Sequence, residues 1–196
     1  DVGLYQGCAD GSGFPHTAGG GVFVDAGGKL TIDMAQISYN KASSFGDGIY
    51  NKGTLDISNT SISDNGVGQN GGGLYNDSGG KVTIVTTGIS GNIVVQDGGG
   101  IYNKGTLTIS NTGISSNGAG QNGGGLYNDS GGQATITSAG ISGNGVGQDG
   151  GGIYNKGTLT ISNAGISSNG AGQNGGGLYN DSGGKVTIPS AGISGN

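Results

Sequence analysis

A short glycine-flanked motif returns at fixed distances along the whole chain, and no other feature limits the possible folds as tightly. The aromatic residue after each glycine run falls at Phe23, Tyr50, Tyr75, Tyr102, Tyr127, Tyr154 and Tyr179, with spacings of 27 and 25 residues in strict alternation. A second marker, Ile-Ser-x-Asn, begins at Ile37, Ile62, Ile89, Ile114, Ile141, Ile166 and Ile193, alternating 25 and 27. Seven units of about 26 residues result, paired into a 52-residue super-repeat. The segments 96–144 and 148–196 differ at only four of 49 positions. A period in this range is the mark of a repeat architecture, in which each unit is one supersecondary element that buries its apolar face against the next copy.

Within a unit, pieces such as "GIYN" (100–103), "TLTISN" (106–111) and "GISSN" (113–117) read as short strands between Gly, Asn and Asp turns. In "TLTI" the alternation places Leu107 and Ile109 on one face and Thr106 and Thr108 on the other; Ile101 and Ile114 join the aliphatic side. Roughly four inward aliphatics cannot form a core alone. Stacked at about 4.8 Å, identical rungs line them into continuous columns. The expected fold is therefore all-β: a right-handed parallel β-helix, a three-sided β-solenoid of about seven rungs of alternating 25 and 27 residues. The solenoid is expected to cover 19–196, with 1–18 as an N-terminal cap or shortened rung that carries a degraded echo, "GLYQ" (3–6), of the tyrosine motif. Long units carry "DSGGK" or "DSGGQ" after Tyr-Asn where short ones carry "KGT", so one turn absorbs the two extra residues. Asparagines recur beside the turns, at Asn51, Asn76, Asn103, Asn128, Asn155 and Asn180 and at Asn40, Asn65, Asn92, Asn117, Asn144, Asn169 and Asn196. Stacked amides of this kind can hydrogen-bond along the axis.

Composition agrees with a thin, locally built core. The chain has 51 glycines in 196 residues without the collagen period, 31% hydrophobic and 10% charged residues. All acids are Asp and all basic residues Lys, and a net charge of −5 makes nucleic acid an unfavourable partner. No apolar run approaches the roughly 20 residues of a membrane span.

The "GGGIYN" and "ISGN" or "ISSN" markers resemble the GGA[ILV] and FxxN motifs of the chlamydial polymorphic outer membrane proteins. They are similar also to the wider group of bacterial surface proteins, adhesin passenger domains among them, with right-handed parallel β-helix repeats. The resemblance runs from about residue 19 to 196, with Gly for Ala in the first motif and Ile for Phe in the second. It implies a secreted or cell-surface, adhesin-like or fibre-like role.

Stacked rungs bring equivalent residues within about 5 Å, so repeated like charges would repel. One column instead runs Asp25, Lys52, Asp77, Lys104, Asp129, Lys156, Asp181, alternating in sign. A second alternates Lys29, Thr54, Lys81, Thr106, Gln133, Thr158, Lys185, and a third is read as Asp47, Asn70, Asp97, Asn122, Asp149, Asn174. Alternating Asp and Asn supplies too few carboxylates for a row of Ca²⁺ sites. Polysaccharide cleavage needs an irregular pair of carboxylates or an acid with a base, and every repeat-region acid falls in a regular column. His16 and Cys8 stand without partners and read as cap residues. No catalytic, cofactor-binding or metal residue is assigned, no cofactor is expected, and an enzyme is not expected.

The leading expectation is a non-enzymatic extracellular structural solenoid, a fibre or filament subunit or the stalk of a surface adhesin. Its expected partners are itself, head-to-tail or laterally, and extracellular glycans. The alternation that turns Leu74 inward turns Tyr75 outward, so Phe23, Tyr50, Tyr75, Tyr102, Tyr127, Tyr154 and Tyr179 are expected as a surface stripe about one rung apart, whose rings stack along the sheet without need of a ligand. Should the stripe bind something, it would be the flank of a neighbouring fibre or a sugar ring. Replacing Tyr102, Tyr127 and Tyr154 by Ser should then abolish bundling without harming the fold. Tyr5, Cys8, Ile193 and Asn196 mark the candidate end-to-end interface. The alternative is a binding module for glycan or ice on an outward Tyr or Thr face. Complete Thr-x-Thr rungs occur only at Thr106/Thr108 and Thr158/Thr160, which limits the ice reading.

Overall fold

The computed structural model describes residues 2–5, 8–9 and 18–196. Among them there is no helix, and every strand pair is parallel, in a solenoid of about seven turns. The three expected strands recur in each complete rung. For the fourth rung they are Ile101–Asn103, Thr106–Ser110 and Gly113–Ser115. A fourth, two-residue strand follows them, as at Ile93–Val94, Gly118–Ala119, Gly145–Val146 and Gly170–Ala171.

The rungs stack in register. Tyr75 pairs with Tyr50 and Tyr102, Thr83 with Thr108, and Ile89 with Ile114. The expected aliphatic columns are the core: Ile101, Ile109 and Ile114 are fully enclosed, as are their equivalents in the neighbouring rungs. Each such side chain contributes roughly 1.5–3 kcal/mol by leaving water. Corners also repeat. Asn59, Asn111 and Asn163 hold φ of 47–50° at the bend after the "TLTIS" strand, with Met34, Thr86 and Ser138 at the equivalent place in the long units. Asn accepts this left-handed backbone more readily than a β-branched residue does.

Both asparagine columns are buried ladders. In one, each Nδ2 donates to the next rung's Oδ1, as Asn103 does to Asn128 at 2.8 Å, and to carbonyls of the adjoining turns. In the other, Asn117 Nδ2 donates back to the Ile89 carbonyl and forward to Asn144 Oδ1, while its backbone N–H also donates to Asn144 Oδ1. A polar column inside an apolar core is tolerated because each amide finds donors and acceptors above and below.

Three details depart from the sequence reading. The "GLYQ" echo does not join the tyrosine column: Gly3, Leu4 and Tyr5 pair with Gln36, Ile37 and Ser38, and Cys8 pairs with Lys41. The segment thus extends the Ile-Ser strands and the two-residue strands. His16 lies outside the described residues. Asp47 does not belong to the Asn/Asp column either, because Phe45 pairs with Asn70 and Asn70 with Asp97. Asp47 instead occupies the place of Gly72, in a loop of the same length as in later rungs. Finally, Pro189 stands where the preceding long rung has Thr137, and the ladder between the last two "TLTIS" strands shifts between Thr160 and Ser162. Proline has no N–H to give to that ladder.

Candidate functional site

The tyrosines form one continuous stack. Centroids from Phe23 through Tyr50, Tyr75, Tyr102, Tyr127 and Tyr154 to Tyr179 follow one another at 4.8–5.2 Å with nearly parallel planes. Alternation does turn them away from the aliphatic core, yet the five rings from Tyr50 to Tyr154 are only 5–8% exposed. The expected surface stripe is corrected accordingly: only Phe23, at 45%, presents its ring to solvent, and Tyr179 is half-buried. Each inner ring has both faces covered by its neighbours, and Phe45 packs on Tyr75 at 5.1 Å. The glycine run closes the side of the stack. At Gly123 φ is +64°, and a Cβ there would meet Leu126 O at 2.7 Å and Tyr127 Cβ at 2.8 Å. Replacing Tyr102, Tyr127 and Tyr154 by Ser would therefore dismantle a second, aromatic core rather than probe a surface.

The alternating Asp and Lys residues after the tyrosines serve this stack. Tyr50, Tyr102 and Tyr154 donate their hydroxyls to Oδ2 of Asp77, Asp129 and Asp181, one rung on, at 2.6, 2.8 and 2.8 Å. The same aspartates cap their own turns, accepting Ser78, Ser130 and Ser182 N–H on Oδ1. In the rungs between, Lys104 Nζ lies 3.7 Å from Asp129 and Lys156 Nζ 3.6 Å from Asp181. Lys52, Lys104 and Lys156 also sit over tyrosine rings at 5.5–5.9 Å. Such a contact is worth about 0.5–1 kcal/mol at an exposed site. Burial, reinforced by the Asp129 hydrogen bond, holds the Tyr102 phenol far above its usual range, and burial raises Tyr50, Tyr75, Tyr127 and Tyr154 likewise. Asp181, hydrogen-bonded by Tyr154, is held below the usual carboxylate range.

The Asn/Asp column is real from Asn70 to Asn174: Asn122 donates its N–H and Nδ2 to Asp97 Oδ1, and Asn174 does the same to Asp149. Several acids fall outside a regular column: Asp33, Asp56 and Asp64 at exposed places, and Asp47 at a buried one. Asp47 is wholly buried, accepts Ala42 N–H at 2.7 Å and Gly68 N–H at 3.1 Å, and burial pushes its pKa up to about 6. Counting back from tyrosine would have found it, since Asp47 precedes Tyr50 by three residues as Gly72 precedes Tyr75. Its two donors come from the backbone of adjoining rungs, so it ties its own loop to the stack. Among the described residues no cluster of three or more His, Cys, Asp or Glu side chains could hold a metal ion. Ile193 is half exposed on the last rung, and Asn196 accepts from Asn169 there; the side chains of Tyr5 and Cys8 fall outside the described set. The Asn-x-Ser sequons at Asn76 and Asn128 hold amides buried in the ladder.

Outside the stack, the outer face carries the column Thr31, Asp56, Thr83, Thr108, Thr135, Thr160, Thr187, flanked by Lys29, Thr54, Lys81, Thr106, Gln133, Thr158 and Lys185. Comparison with family models, curated proteins and solved structures gives no match.

Proposed function

We propose that the chain is a non-enzymatic, extracellular structural solenoid, acting as a filament subunit or as the stalk of a surface adhesin. One observation carries the reading: the same buried amides, aromatic ring and aliphatic columns recur from rung to rung, so nearly every side chain that is not on the outer face serves axial cohesion. The resemblance of the glycine and Ile-Ser-x-Asn motifs to bacterial surface β-helix repeats supports an extracellular setting. End-to-end association in such a solenoid is heterologous and need not close, which favours fibres over rings. Sedimentation across a wide concentration range, with electron microscopy of the same samples, tests the filament version. Concentration-dependent growth into fibres about one solenoid wide is expected; a strict monomer without fibres would remove the filament version.

A second reading, a module binding ice or neutral glycan, is favoured by the outward threonine column. An ice-growth assay and a glycan array, both blank, would dismiss it. The tyrosines do not support that reading, because their rings are enclosed.

A further inference from the structure

Six of the seven lysines lie along one edge of the solenoid, at the turns that join the tyrosine strands to the "TLTIS" strands. The edge carries one lysine per rung: Lys29, Lys52, Lys81, Lys104, then Gln133, then Lys156 and Lys185. The backbone of each turn is pinned to the one before it, as Thr158 N–H to Gly132 O and Lys185 N–H to Gly157 O. Within each of the two columns lysine recurs on alternate rungs, about 9.6 Å apart at a rise of about 4.8 Å per rung, comparable to the screening length of about 8 Å at physiological salt, so the edge presents a repeating positive charge along the axis.

The edge is also notched. Long turns of the "DSGG" type stand out and short "KG" turns stand back. Between the long turns of the fifth and seventh rungs lies an open cleft of about 340 Å³, floored by Lys156, Gly157 and Thr158 and walled by Ser130, Gln133 and Lys185. The aspartates of this edge offset part of its charge: Asp129 and Asp181 meet Lys104 and Lys156 at 3.7 and 3.6 Å while accepting tyrosine hydroxyls and turn amides. Among the described residues Lys29, Lys81 and Lys185 make no salt bridge, and they carry the charge open to a ligand. Asp56 stands on the adjoining face near the first notch, whereas that column carries only threonine beside the last one.

We propose that this notched lysine edge binds a linear, carboxylate-bearing polysaccharide laid along the solenoid axis. The lysines set the requirement for a repeating anion. The notch admits one thin chain, and its hydroxyl, amide and backbone lining matches sugar hydroxyls. A broad, densely charged partner such as duplex DNA would meet the net negative charge of the rest of the molecule, and the edge has no arginine fork for phosphate. The proposal is independent of end-to-end assembly; its Lys29, Lys81 and Lys185 column borders the threonine column on the same outer face.

Affinity electrophoresis of the full chain through gels containing polygalacturonate tests it, with the fully methyl-esterified polymer, poly-L-glutamate and duplex DNA in parallel gels. Retardation is expected with polygalacturonate alone, weakening as salt rises. The variant Lys29→Gln/Lys81→Gln/Lys185→Gln, whose side chains lie off the tyrosine stack, should bind at least about tenfold more weakly, each lost contact lowering the salt dependence. Its unchanged tyrosine near-ultraviolet dichroism would show that the fold is kept. Gln133→Lys, which completes the row, should bind several-fold more tightly. Unchanged binding by either variant, equal retardation by the esterified polymer, by poly-L-glutamate or by DNA, or no retardation by polygalacturonate would each overturn the proposal.

Discussion

Asn117 is held by the Ile89 carbonyl on one side and by Asn144 Oδ1 on the other, and it supplies its own Oδ1 to Asn92. An amide fits because it donates and accepts at once; a carboxylate in its place would face two oxygens with nothing to donate. Asn117→Asp is therefore expected to destabilise the fold by about 3 kcal/mol or more at neutral pH, measured by denaturant unfolding, with part of the loss recovered in acid as the carboxyl gains a proton. The tyrosines divide their work between ring and hydroxyl. Tyr102→Phe keeps the stack and loses the bond to Asp129, at a cost of about 1–2 kcal/mol. Tyr102→Ala opens the aromatic column between Tyr75 and Tyr127, and about 3–5 kcal/mol is expected. If the two variants proved equally stable, the ring would not be contributing as packed core.

At the scale of the element, the 25/27 alternation gains a physical purpose. The long turn supplies an aspartate that caps itself and receives a tyrosine hydroxyl; the short turn supplies a lysine that lies over the rings and meets that aspartate. Like charges on successive rungs would disrupt both. The alternation was legible in the sequence, as were the three longer strand segments, because each recurs at the same spacing in every copy. The ladder shift at the last rung was not read there, although Pro189 was its signal: a single proline removes one donor from an otherwise repeated strand. Pro189→Thr, the residue the preceding long rung carries at Thr137, should restore the pairing opposite Ser162. A gain of about 1 kcal/mol is expected, seen as roughly fivefold slower amide exchange across 190–194.

For the whole molecule, titration sets a window of stability. Burial raises the pKa of Asp47 to about 6, and burial raises Asp97 as well, so both bind a proton more readily folded than unfolded. Their contribution is full below the unfolded carboxylate value near 4 and is lost as pH rises, for Asp47 through about 6. Asp33, hydrogen-bonded by Ser58 and Asn59, and Asp181 are lowered; what they contribute disappears as pH falls below about 4. Thermal unfolding should therefore give its highest midpoint between about pH 4 and 6, with a decline toward pH 8. Asp47→Asn should flatten that decline, and a midpoint that rose from pH 5 to 8 would contradict the assignment. At the alkaline end the stacked phenols stay neutral, so the loss begins near pH 10, where unfolded tyrosine ionises.

The sequence alone determined the solenoid, the number of rungs, the register and the inward aliphatic columns. Each of these follows from equal spacing, and stacking by strand pairing converts equal spacing directly into neighbours. What it could not determine is enclosure. Alternation says that Tyr102 points away from the aliphatic core, but its burial depends on Tyr75 and Tyr127 lying against its two faces. The fit of Asp47 beneath Gly68 and the cleft between projecting turns are likewise products of packing between rungs. A repeat fixes which residues become neighbours, whereas burial and shape arise only after those neighbours have come together in three dimensions.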